Sequence, residues 1–333
     1  MKVFSRFATA ASLLLTAGLL WAAVGQLNVR IQEWDVPTTR SRPHDPAVAP
    51  DGSLWYTGQV VHKLGRVDIA TGQIREWDVT PKSGPHGLVA DKDGNIWYTG
   101  NANGTIGMLN PKTGEVKNFP MPDPRARDPH TPIFDQSGTL WFTVQGGNMV
   151  GRLDPKTGKV DLKESPTSRS LPYGMVVNSK GVPWFCEFGT NKLASIDPKT
   201  MAITEYTLPE SAKPRRIAVA ADDSIYYTDY ARGYLGRFDP RTGKTEEWAS
   251  PGGPESNPYG IAIPRDGMVY YSESGVQPNT MVRFDPKSKQ FSTVAVPSGG
   301  GVIRHMVATP KGDIFIACSG VNKVGLVEVS KLK

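Results

Sequence analysis

The sequence predicts an all-β fold, a seven-bladed β-propeller of four-stranded blades, from three observations. A unit such as residues 84–120 recurs seven times along the 333-residue chain. A large aromatic residue marks the second strand of each unit, at intervals of 42 to 45 residues, which is the range expected of propeller blades. No long helical period competes with this pattern. Such a unit cannot bury both of its faces alone, so the repeats are expected to pack side by side in a ring.

Each unit reads as four short strands separated by turns. In the second unit, Gly87–Ala90 is small and apolar, and Ile96–Thr99 has the β-branched and aromatic residues of a strand packed on both faces. Thr105–Leu109 predicts a third strand, and Glu115–Phe119 alternates like a polar outer edge. The aromatic residues that mark the second strands are Trp55, Trp97, Trp141, Trp184, Tyr226, Tyr270 and Phe315.

The ring is expected to close through the N-terminal part of the chain. The last unit ends after its third strand, whereas Val29–Pro37 is a spare strand that matches the fourth strands at Ile74–Val79 and Ile203–Pro209. Its addition to the last blade would complete seven blades and leave no long free edge.

Residues 1–25 differ from the repeats. Lys2 and Arg6 precede an uncharged run over residues 7–24, which predicts a secretory signal peptide, with an uncleaved N-terminal anchor as the alternative. We therefore expect an exported protein, periplasmic or extracellular, with one propeller domain over residues 26–333. Loss of Lys2 and Arg6 would lower the formal charge from +6 to +4. The remaining basic residues are spread through turns, so we expect no binding of nucleic acid. We also expect a monomer that contacts no membrane beyond this N-terminal segment.

The two cysteines, Cys186 and Cys318, fall in blades four and seven. A disulfide needs Cα atoms within about 7 Å, which positions nearly opposite in a ring do not offer. Both are expected to be unpaired and buried.

A candidate ligand site follows from the strand that lines a propeller's central channel. Counting back from each marker aromatic gives one equivalent residue per blade at the start of strand one, and all seven are large and polar. Such a ring favours a concave ligand site, although each histidine could simply cap its strand and bond to the neighbouring blade. The ring is His44, His86, His130, Tyr173, Arg215, Tyr259 and Arg304.

Carboxylates occupy a second inward position, three residues past the marker aromatic, as Glu187, Asp229 and Glu273 in blades four to six. With the histidines they could hold a divalent cation or act as acid and base. Salt bridges to Arg215 or Arg304 are the alternative. Asp128 lies two residues before His130 on an extended segment, so the two are expected to point the same way, with Asp128 orienting the imidazole or sharing a metal with it.

The repeats PHGLVADKDGNIWYTGNANGTIGMLNPKTG and PYGMVVNSKGVPWFCEFGTNKLASIDPKT resemble the virginiamycin B lyase (streptogramin lyase) family, over roughly residues 28–330. The resemblance implies a lyase that opens a cyclic depsipeptide at its ester by elimination. It also implies a histidine base and a Mg²⁺ ion, held by glutamates, that polarises the carbonyl. The metal ligands would come from Asp128, Glu187 and Glu273.

The same resemblance places the base in a Glu-Pro-His at the start of the last blade. This chain has Ile303-Arg304-His305 there, and Cys318-Ser319 where the family has a metal-binding glutamate. Counting by repeats puts Arg304 at the histidine position, unless one residue is missing from the preceding turn, which would restore His305. The acid-Pro-His of this chain is Asp128-Pro129-His130, so His305 and His130 are both candidate bases.

Three functions therefore remain open from the sequence. The first is the metal-assisted lyase. The second is a non-catalytic propeller that recognises an anionic small molecule or peptide, with Arg215 and Arg304 clamping its acidic group. The third, a lactonase-like hydrolase with an axial calcium, is disfavoured because the ring read from the sequence contains no acidic residue.

Overall fold

The computed structural model describes residues 24–332, which form seven four-stranded antiparallel sheets around a central axis, as predicted. Blades one to four take the strands in chain order from the axis outward. Blade one contains β3 (Pro43–Val48), β4 (Leu54–Gly58), β5 (Lys63–Val67) and β6 (Ile74–Asp78). Blade two contains β7 (Pro85–Ala90), β8 (Ile96–Gly100), β9 (Thr105–Leu109) and β10 (Val116–Pro120). Blade three contains β11 (Pro129–Phe134), β12 (Leu140–Val144), β13 (Met149–Leu153) and β14 (Val160–Glu164). Blade four contains β15 (Pro172–Val177), β16 (Pro183–Glu187), β17 (Lys192–Ile196) and β18 (Ile203–Thr207).

Blades five and six continue the order, and the last blade combines both ends of the chain. Blade five contains β19 (Pro214–Val219), β20 (Ile225–Asp229), β21 (Tyr234–Asp239) and β22 (Lys244–Ala249). Blade six contains β23 (Pro258–Ala262), β24 (Val269–Glu273), β25 (Thr280–Phe284) and β26 (Phe291–Ala295). Blade seven contains β27 (Ile303–Ala308), β28 (Ile314–Cys318), β29 (Lys323–Val327) and, outermost, β2 (Ile31–Asp35). Short 3-10 helices cover Pro254–Ser256, Ser319–Val321 and Val329–Lys331.

The N-terminal strand closes the ring as the sequence predicts. β2 pairs antiparallel with β29, with Ile31 opposite Val327 and Trp34 opposite Val324. A further strand, β1 (Gly25–Gln26), adds in parallel to the outer edge of blade six, beside β26. This second contact was not foreseen, and it ties the start of the propeller to two adjacent blades.

Hydrogen bonds between neighbouring blades fix the inner strands. In blade one the Thr57 hydroxyl donates to the His86 carbonyl oxygen of the next blade (3.1 Å), and in blade three Thr143 donates to Tyr173 (2.7 Å). Thr99, Cys186 and Thr228 make the corresponding bond at three further seams. At the seam to blade seven, Ser272 donates to the carbonyl oxygen of Ile303, one residue before the ring position. Side chains of strand two therefore hold the backbone from which the channel ring projects.

Both cysteines are buried and unpaired, as predicted. Burial raises the pKa of the Cys186 thiol to about 12, so it is a protonated donor to the Arg215 carbonyl oxygen. Within residues 24–332, no helix has the length and apolar character needed to cross a membrane. The predicted signal peptide or anchor, residues 1–25, lies outside the described residues except for Val24 and Gly25.

The closing strand offers a test of the fold. Trp34 of β2 and Trp77 of β6 hold the same place in matching sequences, IQEWD and IREWD, but Trp34 is 8% exposed whereas Trp77 is half-buried. We expect Trp34→Ala to lower the free energy of unfolding by about 3–5 kcal/mol, because it empties a buried site at the ring closure. Trp77→Ala should cost less. Urea unfolding of both variants checks this, and equal losses would contradict the assigned closure.

Candidate ligand site at the mouth of the central channel

Every inner strand begins with the same irregularity. In β3, Pro43 lies opposite Gly58 but Pro46 lies opposite Tyr56, and an equivalent shift occurs at the start of the other six inner strands. A bulge of this kind sets two residues against one and breaks the alternation of side chains between the faces of a strand. In blade one, both His44 and Asp45 consequently make contacts inside the channel.

The bulge produces two rings of side chains instead of one. The upper ring is the one read from the sequence. Its imidazoles and a phenol pack in series, with ring centroids 3.8 Å apart for His44–His86, 3.9 Å for His86–His130 and 4.0 Å for His130–Tyr173. The hydroxyl of Tyr173 forms a hydrogen bond to that of Tyr259. The lower ring, one residue further on, is Asp45, Gly87, Thr131, Gly174, Arg216, Gly260 and His305.

An ion pair crosses the channel in the lower ring. Arg216 of blade five reaches Asp45 of blade one, with its Nη2 2.9 Å from Oδ1 and 3.1 Å from Oδ2, and its Nη1 donates to Thr131 Oγ1 at 3.1 Å. Both charged side chains are 1% exposed. Gly87 of the lower ring lets the neighbouring inner strand approach closely, since a Cβ there would lie 2.1 Å from the His130 carbonyl oxygen. An acid, Asp45, thus lies on the axis next to the ring read from the sequence, which itself contains none.

The charge states around this pair are set by burial. Burial alone would raise the pKa of Asp45, but the Arg216 charge and the hydrogen bond from His44 outweigh it and hold that pKa well below its ordinary value. Burial lowers the pKa of His44 to about 4 and that of His305 to about 3. It also lowers those of His86 and His130 well below the usual value. All four imidazoles are consequently neutral at pH 7.

The carboxylates Glu187 and Glu273, predicted to hold a metal, are instead bonded to the loops that lead in from the preceding blades. Glu187 accepts hydrogen bonds from the hydroxyls of Ser165 (2.6 Å) and Thr190 (3.3 Å). Glu273 accepts from the Ser250 hydroxyl and the Gly252 N–H, both at 2.6 Å. Each carboxylate is the last residue of its second strand and thus holds the loop that enters from the preceding blade. The structure brings neither of them to the histidines, nor to Arg215 or Arg304.

Asp128 has a similar local role. Its carboxylate accepts from the N–H groups of Gly146 (2.6 Å) and Gly147 (3.2 Å) in the turn after β12, while His130 Nδ1 bonds to Thr131 Oγ1 at 3.0 Å. The two residues do not form the expected pair. Asp128 precedes the strand and the bulge follows it, so the simple alternation on which that expectation relied does not apply.

These positions do not suit a magnesium ion. In the part of the chain that the structure describes, the one cluster of three possible metal ligands is His44, Asp45 and His86. Both oxygens of Asp45 already face the Arg216 guanidinium, whose charge opposes a second cation. Mg²⁺ prefers a shell of oxygen ligands, whereas this cluster offers two imidazoles and one carboxylate already in use. No catalytic step is therefore assigned to a metal.

Within the upper ring, Arg215 lies in a cage of aromatic side chains. Its Cζ atom is 3.9 Å from the ring centroid of Tyr259, 4.1 Å from Tyr230, 4.8 Å from Phe188 and 5.4 Å from Tyr173. Burial opposes its charge, but the neighbouring tyrosines outweigh that effect and raise the pKa of Arg215. Its Nε is buried without a hydrogen-bond partner, and Phe188 and Tyr230 remain partly exposed at the mouth.

Two further arginines lie on the opposite side of the mouth, at blades seven and one. Arg304 is partly exposed, and its Nε is also buried without a partner. Partial burial and then the nearby charge of Arg304 lower the pKa of Arg42. Arg42, Arg215 and Arg304 are absent from the ion pairs formed among residues 24–332. The mouth consequently carries positive charge that no carboxylate of the described chain offsets.

The comparisons with known proteins agree with this architecture. A sequence model described as the virginiamycin B lyase family matches residues 20–277 and 172–331. The chain belongs to the virginiamycin B lyase family. A comparison with curated protein sequences found no match.

Solved structures with the same fold include relatives from this family. A streptogramin B lyase aligns with a TM-score of 0.82 at 24% identity, covering 90% of this chain and 97% of the other. The virginiamycin B lyase of Staphylococcus aureus gives 0.81 at 23%, covering 90% and 99%. Hydrazine synthase of Kuenenia stuttgartiensis gives 0.73 at 16%, covering 87% and 96%. At these identities the likeness establishes the seven-bladed fold.

Within this virginiamycin B lyase family member, the strand register decides which residue of the last blade occupies the upper ring. Ile303 lies opposite Cys318 just as Pro43 lies opposite Gly58. Arg304 is therefore equivalent to His44, and His305 is equivalent to Asp45 in the lower ring. The register shows no one-residue offset in blade seven, so His305 does not occupy the histidine position of the upper ring.

Sequence reasoning missed Asp45 and Arg216 of the lower ring, and Phe188 and Tyr230 of the cage. One signal was present: the residue after each upper-ring position is glycine in blades two, four and six but polar in the other four. That contrast indicates a second occupied layer. The partner of Arg216 is 171 residues away and could not be chosen from the sequence.

The axial ion pair provides a stability test. Asp45→Asn leaves Arg216 buried without its counter-charge, so we expect the free energy of unfolding to fall by about 3–5 kcal/mol. Asp222→Asn is the control, because Asp222 pairs with Arg237 at the surface and such pairs contribute about 0–1 kcal/mol. The double variant Asp45→Asn/Arg216→Met should recover part of the loss. Urea unfolding measures all three, and equal losses for the two single variants would contradict the ion-pair assignment.

Proposed function

We propose that this lyase-like propeller binds a ligand bearing a carboxylate and an aromatic or apolar group at the mouth of its channel. The observation that carries the proposal is Arg215, held in its aromatic cage without an acidic partner. A guanidinium stacked on rings keeps its planar N–H donors free for bidentate recognition of a carboxylate. Phe188 and Tyr230, exposed beside it, would contact the apolar part of the ligand.

The charge distribution supports an anion over a cation. Asp45, the carboxylate on the axis, is neutralised by Arg216, and the histidines beside it are neutral. Glu187 and Glu273 are buried in their own loops. An arriving anion would therefore meet arginines whose charge is not already satisfied, at a site closed below by the ion pair. The proposal includes export of the protein, which the signal peptide predicted from residues 1–25 supports.

This function predicts that Arg215→Gln weakens binding of N-acetylphenylalanine, a carboxylate with one aromatic ring, at least tenfold. The basis is the loss of a charge-assisted hydrogen bond, worth about 1.5–3 kcal/mol. Arg127→Gln is the matched control, since Arg127 is an exposed arginine that donates only to the Pro124 carbonyl oxygen. Titration calorimetry on the purified protein makes the comparison. Equal affinities for wild type and Arg215→Gln would refute the proposal.

A second candidate function is ester opening by elimination, favoured by family membership and by His305, whose Nδ1 is buried without a partner. The imidazole would take a proton from the carbon next to the one bearing the ester oxygen. A carbon–carbon double bond then forms, the carbon–oxygen bond breaks, and its electron pair leaves with the carboxylate. Arg304, adjacent to His305, would bind that carboxylate. The depressed pKa of His305 makes it a weak base in the free protein. Negative charge that develops on the leaving carboxylate would stabilise the imidazolium as it forms.

The elimination candidate predicts slow linearisation of quinupristin, the compound bound in the structure of a catalytically inactive S. aureus virginiamycin B lyase. We expect His305→Ala to reduce turnover about 100-fold, as for loss of a general base, and EDTA to leave it unchanged. His130→Ala tests the other candidate base. Mass spectrometry of the product makes the measurement. Abolition by EDTA would show that a metal acts after all, and absence of turnover would leave ligand binding as the function.

A further inference from the structure

A second basic cavity lies at the seam where the ring closes, between blades seven and one. Its volume is about 480 Å³, and Arg40, Arg42 and Arg304 line it together with Gly301 and the turn Ser319–Asn322. No aspartate or glutamate is among the lining residues. Within the described chain, Arg40 and Arg42 enter no ion pair, as already noted for Arg304. Three cationic side chains thus share one cavity without an internal anion.

The backbone that carries Arg40 and Arg42 is held rigidly against blade seven. Asn322 Nδ2 donates to the carbonyl oxygens of Val36 and Thr38, both at 3.1 Å, and its Oδ1 accepts from the Ser41 N–H at 2.8 Å. The Ser319 hydroxyl donates to the Pro43 carbonyl oxygen at 2.7 Å. The backbone from which these two exposed arginines project is therefore fixed, so binding a ligand between them needs no ordering of the loop itself.

Arginine at both positions is particular to this seam. Arg40 and Arg42 have left-handed backbone conformations, with φ of 56° and 54°. The same loop shape recurs before blade two, where Gly84 adopts it without strain, and before blade four at Arg169 and Leu171. The left-handed backbone conformation is thus shared by several loops between blades. The loop before blade one differs because both of its left-handed residues are arginines that line a cavity with Arg304. Arg169 lines a cavity that contains no other arginine.

We propose that this seam pocket binds a tetrahedral oxyanion, a phosphoryl or sulfate group, held by Arg40, Arg42 and Arg304. Guanidinium groups donate paired N–H bonds that match phosphate and sulfate oxygens. Three guanidinium groups suit an anion with a charge near −2, which a phosphoryl group carries above its second pKa of about 6. This assignment deepens the proposed function and rests on it, because both take Arg304 as a contact to the ligand. It assigns the ligand a second, more highly charged acidic group, bound at the side of the mouth formed by blades seven and one.

The test is calorimetric titration of the purified protein with inorganic phosphate, sulfate and acetate at constant ionic strength. We expect phosphate and sulfate to bind, and Arg40→Gln and Arg42→Gln each to weaken them at least tenfold. Arg169→Gln is the matched control and should bind as wild type, because it has the same loop position without neighbouring arginines. Thermal melting verifies that each variant is folded.

Three outcomes would overturn the proposal: no phosphate binding by wild type, unchanged binding by Arg42→Gln, or acetate binding as tightly as phosphate and sulfate. Arg215→Gln separates this inference from the proposed function. It should lose N-acetylphenylalanine binding while keeping phosphate binding. Loss of phosphate binding in Arg215→Gln would show one undivided site and would also overturn the assignment of a separate seam pocket.

Discussion

The ion pair between Asp45 and Arg216 is the contact on which the arrangement of the channel depends. It joins blade five to blade one across the axis, and it orients His44 through the 2.8 Å contact between Nδ1 and Oδ1. A buried pair of charges is stable only when its geometry is good and its remaining hydrogen-bonding groups are satisfied. Thr131 and His44 satisfy part of that need here, whereas Arg216 Nε is buried without a partner among the described residues. The axial carboxylate is consequently paired with a cation of the protein itself.

This closure also determines the electrostatics of the mouth. Because Arg216 uses the axial carboxylate, Arg215 and Arg304 above it have no acidic neighbour among the described residues. Aromatic rings stabilise Arg215 without consuming its hydrogen-bond donors, since a cation over a ring is held by the quadrupole of that ring. This member of the virginiamycin B lyase family thus has arginines at the mouth of its channel, while Glu187 and Glu273 are hydrogen-bonded to loop residues. The fold alone does not decide the chemistry.

The sequence allowed the fold and the upper ring to be predicted, but only part of the candidate site. Equivalent residues in each repeat could be aligned on Trp55, Trp97 and the later marker aromatics, so His44 through Arg304 were found by counting. Counting assumed that side chains alternate along the strand. The bulge at the start of each inner strand breaks that rule, which is why Asp45 and Arg216 were overlooked and Asp128 was paired wrongly with His130.

The sequence by itself determined the seven blades, their strands and the closure by residues 31–35, because these depend on local periodicity and on a repeat written seven times. Only the tertiary structure decided which side chains meet at the axis and at the seam. Asp45 and Arg216 are 171 residues apart, and the turn that holds Arg40 and Arg42 lies at the opposite end of the chain, at Asn322. Such contacts arise from the curvature of the closed ring, which no local pattern specifies.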